Sequence, residues 1–328
     1  MIWLSLRLQR LQLLTLLGIL VVGAGAIVLL RSSMIDDITS LRIADCLTQD
    51  PQLCQGSDSV TQFKVAWYTR LNLGQGAILG LPALIGVFIG APLFARELEQ
   101  GTHVLAFTQS VSRTRWMLSK LVVALAPALI VLIALQYLVW WWLTAAKNLG
   151  PRVNGPFYVL NIGIDHVSPV GYALFAFALC TFLGVVSRRT LVAMTAGLAA
   201  FVVVRFALFD LAGRLVPTQH AEVPAGGSLY QSQSGSLPAG GGWIDTAGRQ
   251  LSGESANALI RPCRLAMSTT STPEEYAACL RQSGIAKQFA DFVPASQAWQ
   301  VHLVDASIFG GLAILLLVGT GWVLRRQS

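Results

Sequence analysis

Pro92-Leu-Phe-Ala-Arg-Glu-Leu-Glu-Gln-Gly-Thr-His-Val-Leu-Ala-Phe-Thr-Gln-Ser-Val-Ser-Arg-Thr-Arg-Trp-Met-Leu-Ser-Lys120 is a short polar stretch set between two long apolar ones, and it concentrates cationic charge. Glu97, Leu98, Thr102 and Leu105 recur at helical spacing, which predicts an amphipathic helix over 97–108. Gln109-Ser110 then turns the chain, and Ser112 is placed to cap a second short helix that runs into the next apolar run. A helix–turn–helix squeezed between two spans on a basic face suits a docking surface better than a catalytic one.

Outward from this stretch the chain is built for lipid. Hydrophobic residues make up 54% and charged residues 12%, which is far too little charge for a soluble chain of 328 residues. Six apolar runs are long enough to cross a hydrocarbon layer about 30 Å thick, near 11–30, 73–95, 119–143, 169–187, 191–212 and 302–324. Arg7 and Arg10 ahead of the first run imitate a signal peptide. That run is long, lacks a small-residue cleavage site and is followed by further spans, so it is read as a retained anchor.

Charge orients the spans. Both termini, the 96–118 loop and the turn Ser187-Arg188-Arg189-Thr190 fall on one side, where Arg7, Arg10, Arg96, Arg113, Arg115, Lys120, Arg188, Arg189, Arg325 and Arg326 crowd into short flanks. Basic residues in short flanks mark the cytoplasmic face. The net charge of +7 is therefore a topology signal and not a sign of nucleic-acid binding, since no basic face is interleaved with exposed aromatics. The cysteines agree. Cys46 and Cys54 lie in the first outside loop, Cys263 and Cys279 in the last, and Cys180 in a span. Paired cysteines belong in an oxidising compartment. The connectivity is open, with the local pairs Cys46–Cys54 and Cys263–Cys279 the simplest.

These signals divide the chain into a cytoplasmic segment at 1–10, extracytoplasmic loops at 31–72 and 144–168, a cytoplasmic loop at 96–118 and an extracytoplasmic domain at 213–301. The predicted fold is an all-α integral membrane protein, with six transmembrane helices and a small disulfide-stapled extracytoplasmic domain. Residues 1–10 form either an interfacial helix or the ragged start of the first span. Gly76, Gly80, Ala83 and Gly90 stripe the second span, with Gly86 four residues before Gly90; such stripes serve a subunit interface or packing within one subunit. Pro82 and Pro92 permit kinks. Trp140-Trp141-Trp142 closes the third span at headgroup level. Arg205 is the charge deepest in a span, with Asp210 and Asp305 as candidate partners; it either lines the translocation path or snorkels. Within 213–301, the part around Pro224 to Gly242 reads as Gly/Ser-rich loop. The later part predicts a helix with Thr272 as N-cap, Pro273 in the first turn, Glu275 completing a capping box and Gly284 beyond the end.

Several chemistries find no support. The acidic residues of 31–72 lack calcium-loop spacing, and Asp165-His166 is one adjacent pair. No lysine follows a glycine, so a phosphate loop is absent, as are the zinc-protease and serine-hydrolase motifs. His103, His166, His220 and His302 are scattered over different segments. No catalytic, cofactor-binding or metal-ligating residue is assigned.

Arg96-Glu97-Leu98-Glu99-Gln100-Gly101-Thr102, followed by Thr108-Gln109-Ser110-Val111-Ser112-Arg113 and Lys120, resembles the first cytoplasmic loop of type-2 ABC exporter permeases, most of all its actinobacterial form. Pro294-Ala-Ser296 and Trp299 before the last span are a weaker echo. The resemblance implies a permease of the bacterial plasma membrane that moves an apolar or amphipathic substrate such as a drug, lipid or peptide antibiotic. It implies separate ABC ATPase subunits that bind the ATP and Mg, and a second permease subunit, either a copy of this chain or a different one. It implies coupling to the ATPase through Glu97, Glu99, Gly101, Thr102, Ser112 and Arg113. The competing reading is a membrane receptor or assembly factor that binds a ligand through 213–301. A secondary transporter is weak, because few acidic residues approach the spans.

Overall fold

The computed structural model describes residues 9–48, 54, 57–101, 113–209, 211–227, 235–266 and 272–326. The protein is predominantly helical and divides into two compact units. Helices α1 (Arg10–Ser40), α2 (Asp58–Ile85), α3 (Pro92–Glu99), α4 (Arg113–Ala146), α5 (Val159–Ile162), α6 (Ser168–Ser187), α7 (Thr190–Ala207) and α8 (Leu211–Arg214) precede a strand β1 (Gln219–Pro224). Strand β2 (Leu237–Asp245), helices α9 (Gly253–Ala266) and α10 (Pro273–Gln282), strand β3 (Ile285–Val293) and helix α11 (Ala298–Arg326) complete the order. Among the described residues, six helical segments are long and apolar enough to cross a membrane.

The first unit holds the spans. Its core is built on Met34, Phe63, Trp67, Leu71, Phe94, Leu132, Trp142 and Leu143, all fully buried. A second cluster joins Tyr172, Phe175, Phe201 and Phe309 from α6, α7 and α11. The most enclosed span is α6. A methyl group added to Gly86 or Gly90 would come within 2.7 Å of the carbonyl oxygen of Ala176 or Phe177 on α6. These two glycines therefore serve close packing within the chain, whereas Gly76 and Gly80 face nothing within 4 Å. Pro92 lacks the N–H that would close the helix on the fourth residue before it. The backbone answers with a π-turn over Gly86–Gly90, closed by the Ala91 N–H on the Gly86 carbonyl at 2.9 Å.

Two readings of the sequence need correction here. The stretch 31–72 is predicted as loop, yet α1 continues to Ser40 and α2 begins at Asp58. Val60, Phe63, Trp67 and Leu71 form a buried stripe at helical spacing, so α2 is held by packing where hydropathy is weak. Trp67 Nε1 also donates to Asp37 Oδ2 on α1 at 2.8 Å. The loop 144–168 is likewise no free connection, because Asn161, Ile162, Gly163, Ile164 and Asp165 are all buried.

The second unit is residues 155–157 and 213–301. It contains an antiparallel sheet in the order β1-β3-β2, which corrects the loop reading of Pro224 to Gly242. Gly242 of β2 has a packing reason, since a methyl group on it would meet the Phe289 ring of β3 at 2.9 Å. Its core gathers Ala225, Ala256, Ile260, Cys263, Leu280 and Ile285. The predicted capping box forms: Thr272 Oγ1 accepts from the Glu275 N–H and Glu275 Oε2 accepts from the Thr272 N–H. Disulfides join Cys263 to Cys279, bridging α9 and α10, and, in the first unit, Cys46 to Cys54.

Candidate functional site

Helix α3 is the element on which the predicted coupling residues sit. Pro92 starts it and Gly101, at φ +69°, ends it in the left-handed region that favours glycine. The helix begins upstream of the predicted one, inside the span, and stops at Glu99, and residues 102–108 of the predicted helix lie outside the described residues. Gly101 terminates α3, and a methyl group there would meet nothing within 4 Å. Thr102 and Ser112 lie outside the described residues. Arg113 begins α4.

Both acids of α3 are turned into their own chain. Glu97 pairs with Lys120 Nζ on α4. Lys120 is 7% exposed, and its ammonium lies 4.5 Å from the Trp116 ring centroid and 5.9 Å from that of Phe94. Phe94, itself buried, packs on Trp116 at 5.5 Å between centroids. A buried ammonium needs a counter-charge, and removing one partner of such a pair leaves the other uncompensated. Glu99 takes the other side: its Oε2 accepts from Thr190 Oγ1 at 2.9 Å and from the Thr190 N–H at 3.4 Å. Thr190 opens α7, so the carboxylate caps that helix at the positive end of its dipole. One eight-residue helix is therefore bonded to the starts of two different spans. Sequence reading missed Lys120 and Thr190 as partners, because their separation in the chain carries no local signal.

A second polar cluster spans α6, α7 and α11. The Arg205 guanidinium lies 4.1 Å from the Tyr172 ring centroid, and the Tyr172 hydroxyl donates to Asp305. Arg205 and Asp305 thus meet through Tyr172, while Asp210 lies outside the described residues. Ser168 Oγ and His302 Nδ1 share a hydrogen bond at 2.8 Å, and His302 stacks on His166 at 4.7 Å between centroids. Ser168, Asp305 and His302 are all buried. Beside this cluster, Gln75 of α2 donates to Asn161 Oδ1 at 2.6 Å, and Gln136 of α4 donates to the carbonyls of Ile164 and His166 at 2.8 Å each. Arg152 forks onto Asp165 at 3.1 and 3.3 Å. Burial raises the Asp165 carboxyl above its ordinary range, and Arg152 and His166 act against that rise. These contacts explain how a polar segment is accommodated in an apolar unit: its buried groups are bonded to the spans around it or, for Asp165, to Arg152 in the segment itself.

A family model described as ABC-2 membrane transporter related matches residues 17–212. The chain belongs to this family. No curated protein and no solved structure matches it. The ABC-2 match runs from within the first span to near the end of the fifth, takes in α3 and Arg205, and ends before the 213–301 stretch of the second unit. Membership makes the chain an ABC-type transport component of the membrane and implies an ABC ATPase partner in general terms.

Proposed function

We propose that the chain is the permease subunit of an ATP-binding-cassette exporter, moving an apolar or amphipathic molecule with energy from separate ATPase subunits. In this reading ATP and Mg are bound by the partner, and this chain performs no chemistry. The observation that supports it best is the double anchorage of α3, through Glu97 to Lys120 and through Glu99 to Thr190. A short helix between two spans, bonded to a third, is suited to turn a push from outside the bilayer into a tilt of α4 and α7 together. Arg113 and the segment that carries Thr102 and Ser112 then form the surface the ATPase meets. Glu97 and Glu99 act behind that surface, as positioning residues. Arg205, held over Tyr172, stands at the path or at its wall. The termini and α3 face the cytoplasm of a bacterial cell, and a second permease subunit completes the pathway.

Capture of the tagged full chain from its own membranes tests the assembly. A co-purifying subunit that carries ATP-hydrolysing motifs is the expected result, and a chain recovered repeatedly without one overturns the reading. Co-expression of tagged and untagged copies decides whether the second permease is a copy.

A further inference from the structure

Helix α6 is held in different ways at its two ends. Toward α3 it meets its neighbours backbone to backbone. A methyl group on Gly184 would come within 2.7 Å of the Ala91 carbonyl oxygen and 3.2 Å of Ala95 Cβ, at the start of α3. Gly86 and Gly90 admit the Ala176 and Phe177 carbonyls in the same manner. Thr181 Oγ1, also buried, donates to the Gly90 carbonyl at 3.2 Å. Cys180 lies in this joint, with Gly197 of α7 packed against its sulfur.

From Thr181 to Ser168 is roughly 20 Å of helix at about 1.5 Å per residue, and there α6 is joined to α11 by polar side chains. Ser168 and Tyr172 stand about one turn apart on α6, and His302 and Asp305 about one turn apart on α11. They make two rungs, Ser168 Oγ with His302 Nδ1 at 2.8 Å and the Tyr172 hydroxyl with Asp305. Beside the rungs Gly171 admits Ala306, whose Cα would lie 2.8 Å from an added methyl group. The four polar side chains are buried. His166, stacked on His302, is exposed, so the rungs lie one ring from the surface.

The two joints differ in what parting them costs. Parting α6 from α3 opens a gap inside the apolar layer, and its lining loses those contacts outright. Parting the rungs lets each polar group take water instead, which keeps the net worth of each bond small. The far joint is the one that gives. We propose that α6 moves with α3 as one body, and that the Ser168–His302 and Tyr172–Asp305 rungs are a latch that opens to release α11. What drives α3 rests on the permease reading; the latch itself does not.

Thiol labelling of the full chain in lipid nanodiscs tests it, because N-ethylmaleimide reacts with the thiolate and so with cysteines that reach water. Cys180 is the native reporter of the near joint, since the other four cysteines are bridged. Ala306→Cys reports the far one. In the isolated chain, Tyr172→Phe keeps the ring and removes a rung. It should speed labelling of Ala306→Cys about tenfold, the scale of one buried hydrogen bond, and leave Cys180 protected. In the complex with the ATPase, a non-hydrolysable ATP analogue should do the same to Ala306→Cys without Tyr172→Phe. Equal labelling at position 306 with and without Tyr172→Phe overturns the latch, and exposure of Cys180 in step with position 306 overturns the single body. A complex that assembles yet shows no nucleotide effect at position 306 overturns the coupled movement and leaves the permease reading standing. Where no ATPase co-purifies, that reading is what fails, and the isolated chain still decides the latch.

Discussion

The two units of this chain solve the problem of burial in opposite ways. In the first, apolar residues are abundant, so specificity comes from where backbones approach and where isolated polar groups meet. Gly86 and Gly90 let α6 in, and Lys120 and Asp305 each find a partner on another helix. In the second, apolar residues are few, and a three-stranded sheet and two short helices are held over a small core by the Cys263–Cys279 bridge. Loss of a polar pair is therefore the expected weakness of the first unit, and loss of a staple that of the second.

The largest effect is expected at the α3 junction. Glu97→Ala strands the buried Lys120 ammonium and should destabilise the first unit toward the lower end of the ~3–5 kcal/mol seen when buried pairs are broken, since Glu97 is partly exposed. Lys120→Met combined with Glu97→Gln should restore most of that loss. A thermal unfolding series in detergent checks both, and equal stability of all the variants would break the contrast between the units.

Next comes the staple. Replacing Cys263 and Cys279 by Ala, a bridge spanning 16 residues, should cost the second unit about 3 kcal/mol and leave the first unit untouched. Proteolysis followed by mass spectrometry reads the two units separately. The same peptides, unreduced, should carry the Cys46–Cys54 and Cys263–Cys279 links.

A smaller effect sharpens the role of the glycines. Gly90→Ala forces the Phe177 carbonyl of α6 away from this helix and should cost about 1–3 kcal/mol. Gly76→Ala, with nothing within 4 Å, should be neutral or slightly stabilising. Equal losses at both positions would mean that the stripe is not divided as described.

The smallest effect is a pH dependence of the second unit. His220 on β1 bonds Asp291 Oδ1 at 2.7 Å and Glu222 Oε1 at 3.3 Å, and these bonds raise its pKa above 6.5. The folded state therefore binds the proton more tightly than the unfolded one. The stabilisation is fully present below the ordinary histidine value and is lost as pH rises through the raised one. His220→Gln should flatten a slight fall in the unit's melting temperature over that window.

The legibility of the sequence follows the same division. Spans are written in hydropathy over some twenty residues, so six were visible, and the loop at 92–120 stood out by contrast. The start of α2 was not visible that way, although the stripe Val60, Phe63, Trp67 and Leu71 carries it. The sheet was hidden for a different reason. Gly240, Gly241 and Gly242 have the composition of a loop, and their strand follows from pairing with β3, where the Phe289 ring covers Gly242. At the candidate site the acids were legible and their partners were not. Lys120 lies 23 residues from Glu97, and Thr190 lies 91 from Glu99, distances over which a single sequence holds no pairing signal.

In the proposed coupling, α3 transmits force into α4 and α7. Its most direct test is ATP hydrolysis by the ATPase partner in the reconstituted complex, compared between wild type and Glu99→Gln, which weakens the link to α7 while leaving Glu97 and Lys120 in place. The complex should still assemble, and permease-dependent hydrolysis together with export should fall by about tenfold, or roughly 1.4 kcal/mol of coupling. An intact complex with unchanged hydrolysis and unchanged export would contradict the account and leave α3 a connection that bears no load.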